Sequence, residues 1–204
     1  MGHASHGTTG GGARPLRDRR KLDSMREIQS VAIELFSARG FDAVTVGDIA
    51  TAVAVSDSTV YRYFGTKERL VTWQDYEPEL QAALLRRLAE QPPVDAIRDA
   101  YIEALAPRYD ESQLSRIAFI YRTPQVYAAT VEQSYTQHAH LTKALEGAAA
   151  VDELTAGVIA GACLAAVDVA IGRWQESGGN TGLAALLVDA FDALAHAVPT
   201  APPS

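Results

Sequence analysis

One cysteine stands among 204 residues, so no internal disulfide can form. A lone thiol, Cys163, fits a cytoplasmic chain. No uncharged apolar run of about 18 residues occurs, and no membrane partner is expected. The longest candidate, Leu154 to Ile171, is interrupted by Asp168 and is rich in alanine and glycine. No apolar segment precedes the first expected helix, so secretion finds no support. Strand-like alternation is also missing, which predicts an all-α chain. There is no glycine-rich phosphate loop, no G-x-S-x-G and no zinc spacing. His138 and His140 diverge on a helix and are expected to be solvated. His3 and His6 stand in a glycine-rich tail that offers no preorganised metal site. No catalytic residue, metal or cofactor is therefore expected, and no enzymatic activity.

What is present is a chain that can bury a core, with 48% hydrophobic residues. Its net charge of −7 is unevenly spread. Residues 14–69 hold ten Lys or Arg against eight Asp or Glu, a net of +2. Residues 70–204 hold eight against seventeen, a net of −9. This places a mildly basic module on an acidic body, which permits an anionic partner for the first part. Residues 1–21 read as a flexible basic arm, and 199–204 as a flexible tail. Arg14, Arg17, Arg19, Arg20 and Lys21 close the arm. Two readings stand for that run: an arm reaching DNA phosphates or a minor groove, or a solvated charge cluster.

Helix 1 is expected over about 22–39, with Met25, Ile28, Ala32, Leu35 and Phe36 on one face and Gly40 as its stop. Thr45-Val46-Gly47-Asp48 reads as a capping box opening helix 2, with Ile49, Ala50 and Val53 inward. Ser56 caps helix 3, and Asp57 sits at the positive end of its dipole. Val60 and Phe64, four apart, anchor that helix. Asp57, Ser58, Thr59, Tyr61, Arg62 and Tyr63 are left outside or at its edges. A short helix held by two apolar residues, with hydroxyls, tyrosines and an arginine outward, is suited to reading DNA. Thr66 is expected to cap a helix 4 that carries Lys67 in its first turn and runs to about Tyr76. A cation there opposes the dipole, a cost that a DNA phosphate would offset.

The segment L-F-S-A-R-G-F-D-A-V-T-V-G-D-I-A, followed by V-S-D-S-T-V-Y-R-Y-F-G-T-K-E-R-L, resembles the N-terminal domain of TetR-family transcriptional regulators. The resemblance covers about residues 22–71. It implies a helix-turn-helix DNA-binding domain at 22–68 and a helical ligand-binding and dimerisation domain at 69–198. It also implies a homodimer on a pseudo-palindromic operator, with Thr45, Ser56, Ser58, Thr59, Tyr61, Tyr63 and Lys67 towards DNA. Asp57 stands where the family varies and often selects sequence, and Arg62 joins the candidate set from its place on the helix. Asp57 would repel a phosphate, so it is expected to meet a base edge or to cap. Two departures stand out. Ala54 takes the place of the usual turn glycine, at about 1 kcal/mol if the backbone needs positive φ. Gly47 lies inside helix 2, at a similar cost of about 1 kcal/mol against alanine.

The body reads as further helices at about 79–90, 94–108, 111–122, 124–147, 151–176 and 183–198. Ala156, Gly157, Ala160, Gly161, Ala165 and Ala166 form a small-residue stripe. With the last helix it suits a four-helix homodimer interface; an internal seam is the other reading. Trp73, Tyr101, Phe119, Arg122, Tyr127, Tyr135 and Trp174 are the candidate ligand-pocket residues, among aromatics that core packing also explains. Ile120-Tyr121-Arg122-Thr123-Pro124 and Gly172-Arg173-Trp174 resemble a TetR-family branch whose C-terminal domain binds acyl-CoA-like ligands. That implies a hydrophobic or acyl-CoA-like small-molecule effector, whose binding releases a repressor from DNA. The competing expectation is an all-α acyl-binding protein or enzyme with a vestigial DNA-binding module, which Ala54 and Gly47 favour slightly.

Overall fold

The computed structural model describes residues 13–149 and 151–197, and every regular element among them is a helix. Residues 1–12 of the expected arm, with His3 and His6, and the expected tail at 199–204 lie outside the described residues. The chain divides into two compact units, Met1–Asp75 and Tyr76–Ser204.

The first unit holds α1 (Ala13–Arg39), α2 (Val46–Ala52), α3 (Asp57–Phe64) and α4 (Arg69–Thr72). Met25, Ile28, Ala32 and Phe36 bury one face of α1 against α2 and α4, while Leu35 is only half-buried. α1 starts nine positions before the expected Leu22, at Ala13. The apolar period begins at Met25, but Leu16 to Lys21 are mostly straight-chain helix formers with no glycine among them. Pro15 falls in the first turn, where its missing N–H costs nothing. At the other end Gly40, at φ 87°, donates its N–H to the Phe36 carbonyl and ends the helix.

α4 is a single turn, not the helix expected as far as Tyr76. Trp73 turns extended at φ −61° and ψ 138°. Contacts from α1 favour that turn over continued helix. The Gln29 amide donates to the Trp73 carbonyl at 2.9 Å, and Arg26 pairs with Asp75 at 2.7 Å. The Trp73 ring meets Phe64 edge-on, with centroids 5.8 Å apart.

The second unit holds α5 (Glu77–Leu88), α6 (Pro93–Leu105), a 3-10 turn (Ala106–Arg108), α7 (Glu111–Arg122), α8 (Pro124–Ala149), α9 (Glu153–Glu176) and α10 (Leu183–Ala197). Pro78 sits in the first turn of α5 instead of preceding it. α9 is the centre of the unit and packs on α6, α7, α8 and α10. By length and composition it is the one described helix apolar enough to cross a membrane. Ala156, Ala160, Cys163, Val167, Ala170 and Trp174 recur at three- and four-residue spacing and are buried in the core.

The small residues of α9 serve contacts inside the chain. His138 of α8 pairs through Nε2 with the Gly157 carbonyl at 2.9 Å, and its ring packs on Gly161, 3.5 Å from where a β-carbon there would sit. His138 is thus half-buried and hydrogen-bonded, not solvated as expected. Ala165 of the same stripe is exposed.

Candidate nucleic-acid interface

Three caps fix the reading head. The Thr45 hydroxyl accepts from the Asp48 N–H at 3.1 Å, and the Asp48 carboxylate accepts the Thr45 N–H at 2.8 Å. The Thr45 N–H foremost, and the Thr45 hydroxyl, which donates to the same carboxylate at 2.8 Å, hold the Asp48 carboxyl below its ordinary value. The Ser56 hydroxyl accepts the Thr59 N–H at 3.2 Å and opens α3. Between α2 and α3, the Ala54 N–H reaches the Thr51 carbonyl at 3.2 Å and the Val55 N–H reaches Ala50 at 2.9 Å. That paired pattern is a Schellman motif, and it requires a left-handed residue after the cap. Ala54 is that residue, at φ 56°, the one non-glycine with positive φ among the described residues. The turn keeps the geometry that glycine would serve and carries a methyl group there at a cost in strain.

Val60 and Phe64 are buried, at 1% and 3% exposure, and set the rotation of α3. Thr45, Ser56, Asp57, Ser58, Tyr61 and Arg62 are exposed, and Thr59, Tyr63 and Lys67 are half-buried. The Ser56 hydroxyl lies 2.9 Å from both the Ser58 and the Thr59 hydroxyls, so three rotatable donor-acceptors stand together at the helix start. Asp57 leans on α2: a side chain on Gly47 would begin 3.2 Å from its Oδ2. Gly47 therefore has a spatial role, leaving room for the Asp57 carboxylate where the two helices meet.

Two cations take up positions that sequence spacing does not reveal. Lys67 is not in a helical first turn, since α4 begins at Arg69. Its ammonium donates to the Phe41 carbonyl and lies over the Phe41 and Phe36 rings, 4.3 and 5.5 Å from their centroids. Lys21 of α1 lies 5.6 Å from the Tyr63 centroid, and Arg62 lies 5.2 Å from the same ring. Both distances are within the range of cation–π attraction.

The pocket candidates occupy several environments. Tyr101, Phe119 and Trp174 are buried in the second unit, and Trp174 meets Tyr109 edge-on at 5.1 Å. Tyr127 and Tyr135 are exposed, and Arg122 donates to the Ala118 carbonyl of its own helix. Trp73 belongs to the first unit, against Phe64. Two further tyrosines, Tyr76 and Tyr109, lie in or against the body core beside Tyr101. Burial pushes the Tyr76, Tyr101 and Tyr109 hydroxyls up. Arg116 is buried beside Gln113, to which it donates at 2.7 Å. Burial also drives the Cys163 thiol up to about 12, in keeping with an inert core residue.

Comparison with known proteins places this geometry. Residues 28–72 match the family model of bacterial regulatory proteins of the tetR family, and residues 91–199 match the MftR C-terminal domain. The chain is 35% identical over 119 residues to the Mycobacterium tuberculosis protein MftR, covering 54% of this chain and 58% of that one. It is 29% identical over 177 residues to an HTH-type transcriptional repressor of the same organism, covering 70% of this chain and 88% of the repressor. Its fold is similar to Thermus thermophilus FadR, a TetR-family repressor solved with lauroyl-CoA. There the TM-score is 0.54 at 22% identity, over 88% of this chain and 98% of FadR. With one model on the reading head and another over more than half of the chain, this protein belongs to the TetR family of bacterial regulatory proteins and carries an MftR-type C-terminal domain.

Proposed function

We propose that the chain represses transcription as a homodimer on a pseudo-palindromic operator and is released by a small hydrophobic molecule. The observation that carries the DNA-binding part is the division of α3. Val60 and Phe64 are locked in the core, while Ser58, Tyr61 and Arg62 are exposed. Ser56, Ser58 and Thr59 are hydroxyl donors at the helix start, where base edges are read. Thr45, Tyr61, Tyr63 and Lys67 serve as phosphate contacts, and Asp57 selects or caps. Lys67 has both a structural and a DNA role, because an ammonium on a carbonyl and two rings keeps donors to spare.

The dimer is assigned to α9 and α10. Leu154, Val158 and Val169 of α9 and Val188 of α10 are exposed, at 76%, 63%, 58% and 39%. A row of apolar side chains left in water supports a helix-on-helix contact between copies. In a two-fold dimer the recognition helices stand about 34–36 Å apart, or a multiple of it. The effector is assigned to the second unit, near Tyr101, Phe119 and Trp174, with Tyr127, Tyr135 and Arg122 towards its rim. A ligand that favours a body shape with a different helix spacing lowers operator affinity.

A gel shift with the DNA upstream of the chain's own coding sequence tests the reading. A salt-sensitive, sequence-selective complex is expected, and its absence would count against repression. Native mass spectrometry of the purified chain tests the effector: a retained acyl-type molecule that dissolves the complex on addition supports release. An added lauroyl-CoA probe that neither binds nor dissociates DNA argues against an acyl effector.

A further inference from the structure

We propose that the start of α1 and the end of α3 form a second, sequence-independent binding site for the DNA backbone, beside the recognition face. This inference rests on the DNA-binding reading above. A cleft of about 560 Å³ lies between these helices, and Arg17, Arg20, Lys21 and Arg62 line it. Asp18 is the one carboxylate in the lining, so four cations face a single negative charge. Ser24 and Tyr63 add hydroxyl donors suited to phosphate oxygens.

Two features set this cluster apart from a solvated charge run. First, Arg17, Arg20, Lys21 and Ser24 are spaced by three and four residues, which puts them on one face of a helix that begins at Ala13. Like charges so placed repel each other. None of the four cations has an ion-pair partner among the described residues, whereas Arg26 and Arg39 of the same unit are both paired. Second, Lys21 and Arg62 converge on the Tyr63 ring, at 5.6 and 5.2 Å from its centroid. One aromatic ring thereby holds cations from two helices at the edge of the reading head. In a chain of net charge −7, an arrangement that concentrates unpaired positive charge there fits a polyanion. Because α3 presents base-reading hydroxyls beside it, the polyanion is the duplex flanking the half-site.

The experiment compares the full-length chain with the triple variant Arg17→Gln, Arg20→Gln, Lys21→Gln. Glutamine keeps helix propensity and removes charge. Affinities are measured by fluorescence anisotropy across a salt series on two probes. One is a duplex from the chain's own upstream DNA, and the other is a random-sequence duplex of equal length. Three lost phosphate contacts should flatten the slope of log K against log salt by about 2 to 3, since each contributes about 0.9. At 0.1 M salt this is a loss on the order of tenfold per contact on both probes. The preference for one duplex over the other should stay unchanged. A Ser58→Ala, Thr59→Val variant, which removes two of the base-reading hydroxyls, should do the opposite to selectivity, losing the preference. Circular dichroism checks that each variant keeps the parent's helix content. A triple variant with an unchanged salt slope on both probes overturns the second site alone and leaves the recognition face standing. A parent chain that binds neither duplex at low salt overturns both.

Discussion

Replacing Ala54 by glycine isolates the strain held in the turn between α2 and α3. Ala54 lies past the end of α2 at φ 56°, with its N–H bonded to Thr51, so no helical residue is altered. The left-handed conformation costs an L-residue with a β-carbon about 1–2 kcal/mol and glycine almost nothing. Glycine gives back about 0.4–1 kcal/mol through its more flexible unfolded chain. The difference is a net stabilisation of about 0.5–1 kcal/mol. If the first unit melts on its own, that raises its midpoint by about 2–8 °C; melting as part of the whole chain, it gains roughly half as much. Thermal denaturation followed by circular dichroism reads it directly. The control is Ala52→Gly, two positions earlier and inside α2, where the same chemical change should destabilise by up to about 1 kcal/mol. Opposite signs at positions two apart would tie the effect to backbone conformation. A midpoint that is unchanged or lowered by Ala54→Gly would refute the strain argument. Operator preference should be preserved, because the hydrogen-bond pattern of the turn survives the change.

Other outcomes follow from the same contacts. Asp48 has a carboxyl held below its ordinary value of 3.8, so its contribution to stability is full above that value and is lost as pH falls through the lower folded value. Asp48→Asn should therefore destabilise at neutral pH and weaken the acid dependence below about pH 4, seen as converging urea midpoints of variant and parent at low pH. Lys67→Met should weaken binding to every DNA sequence. It should also lower the melting point by about 1 kcal/mol of stability, since the carbonyl and ring contacts go with the charge; a change in binding with no change in melting would contradict the dual role. Cys163 should resist thiol reagents in the native chain and label only on unfolding, because the thiol is buried and driven up to about 12; rapid labelling of folded protein would contradict its place in the core.

How far the fold was legible follows from which signal each element carries. α2 and α3 are strongly punctuated, by Thr45 with Asp48 and by Ser56, and their caps form as the spacing predicts. Proline likewise marks the junction of α7 and α8, since Pro124 is favoured in the first turn of a helix, whereas Gly147 does not stop α8, which runs on to Ala149. Apolar periodicity misses the start of α1, because an exposed helical extension buries nothing and leaves no periodic trace. α4 errs the other way. Its sequence is compatible with helix through Tyr76, and only Arg26 and Gln29, about 45 residues earlier, pull residues 73–75 away. At the interface, the outward face of α3 is legible from Val60 and Phe64 alone. The stacking of Lys21 on Tyr63 and the lodging of Lys67 on Phe41 are tertiary contacts between distant positions, and local spacing is silent on them. Gly47 reads as a helix defect until α3 is in place, when Asp57 fills the space beside it.

DNase footprinting of the chain's own upstream DNA tests the central claim most directly. The account predicts one protected site containing two inverted half-sites centred about one helical turn apart or a multiple of it. It further predicts that Ser58→Ala with Tyr61→Leu abolishes the protection while the helix content is kept. Uniform protection with no preferred site, or a footprint untouched by that pair of substitutions, would contradict it.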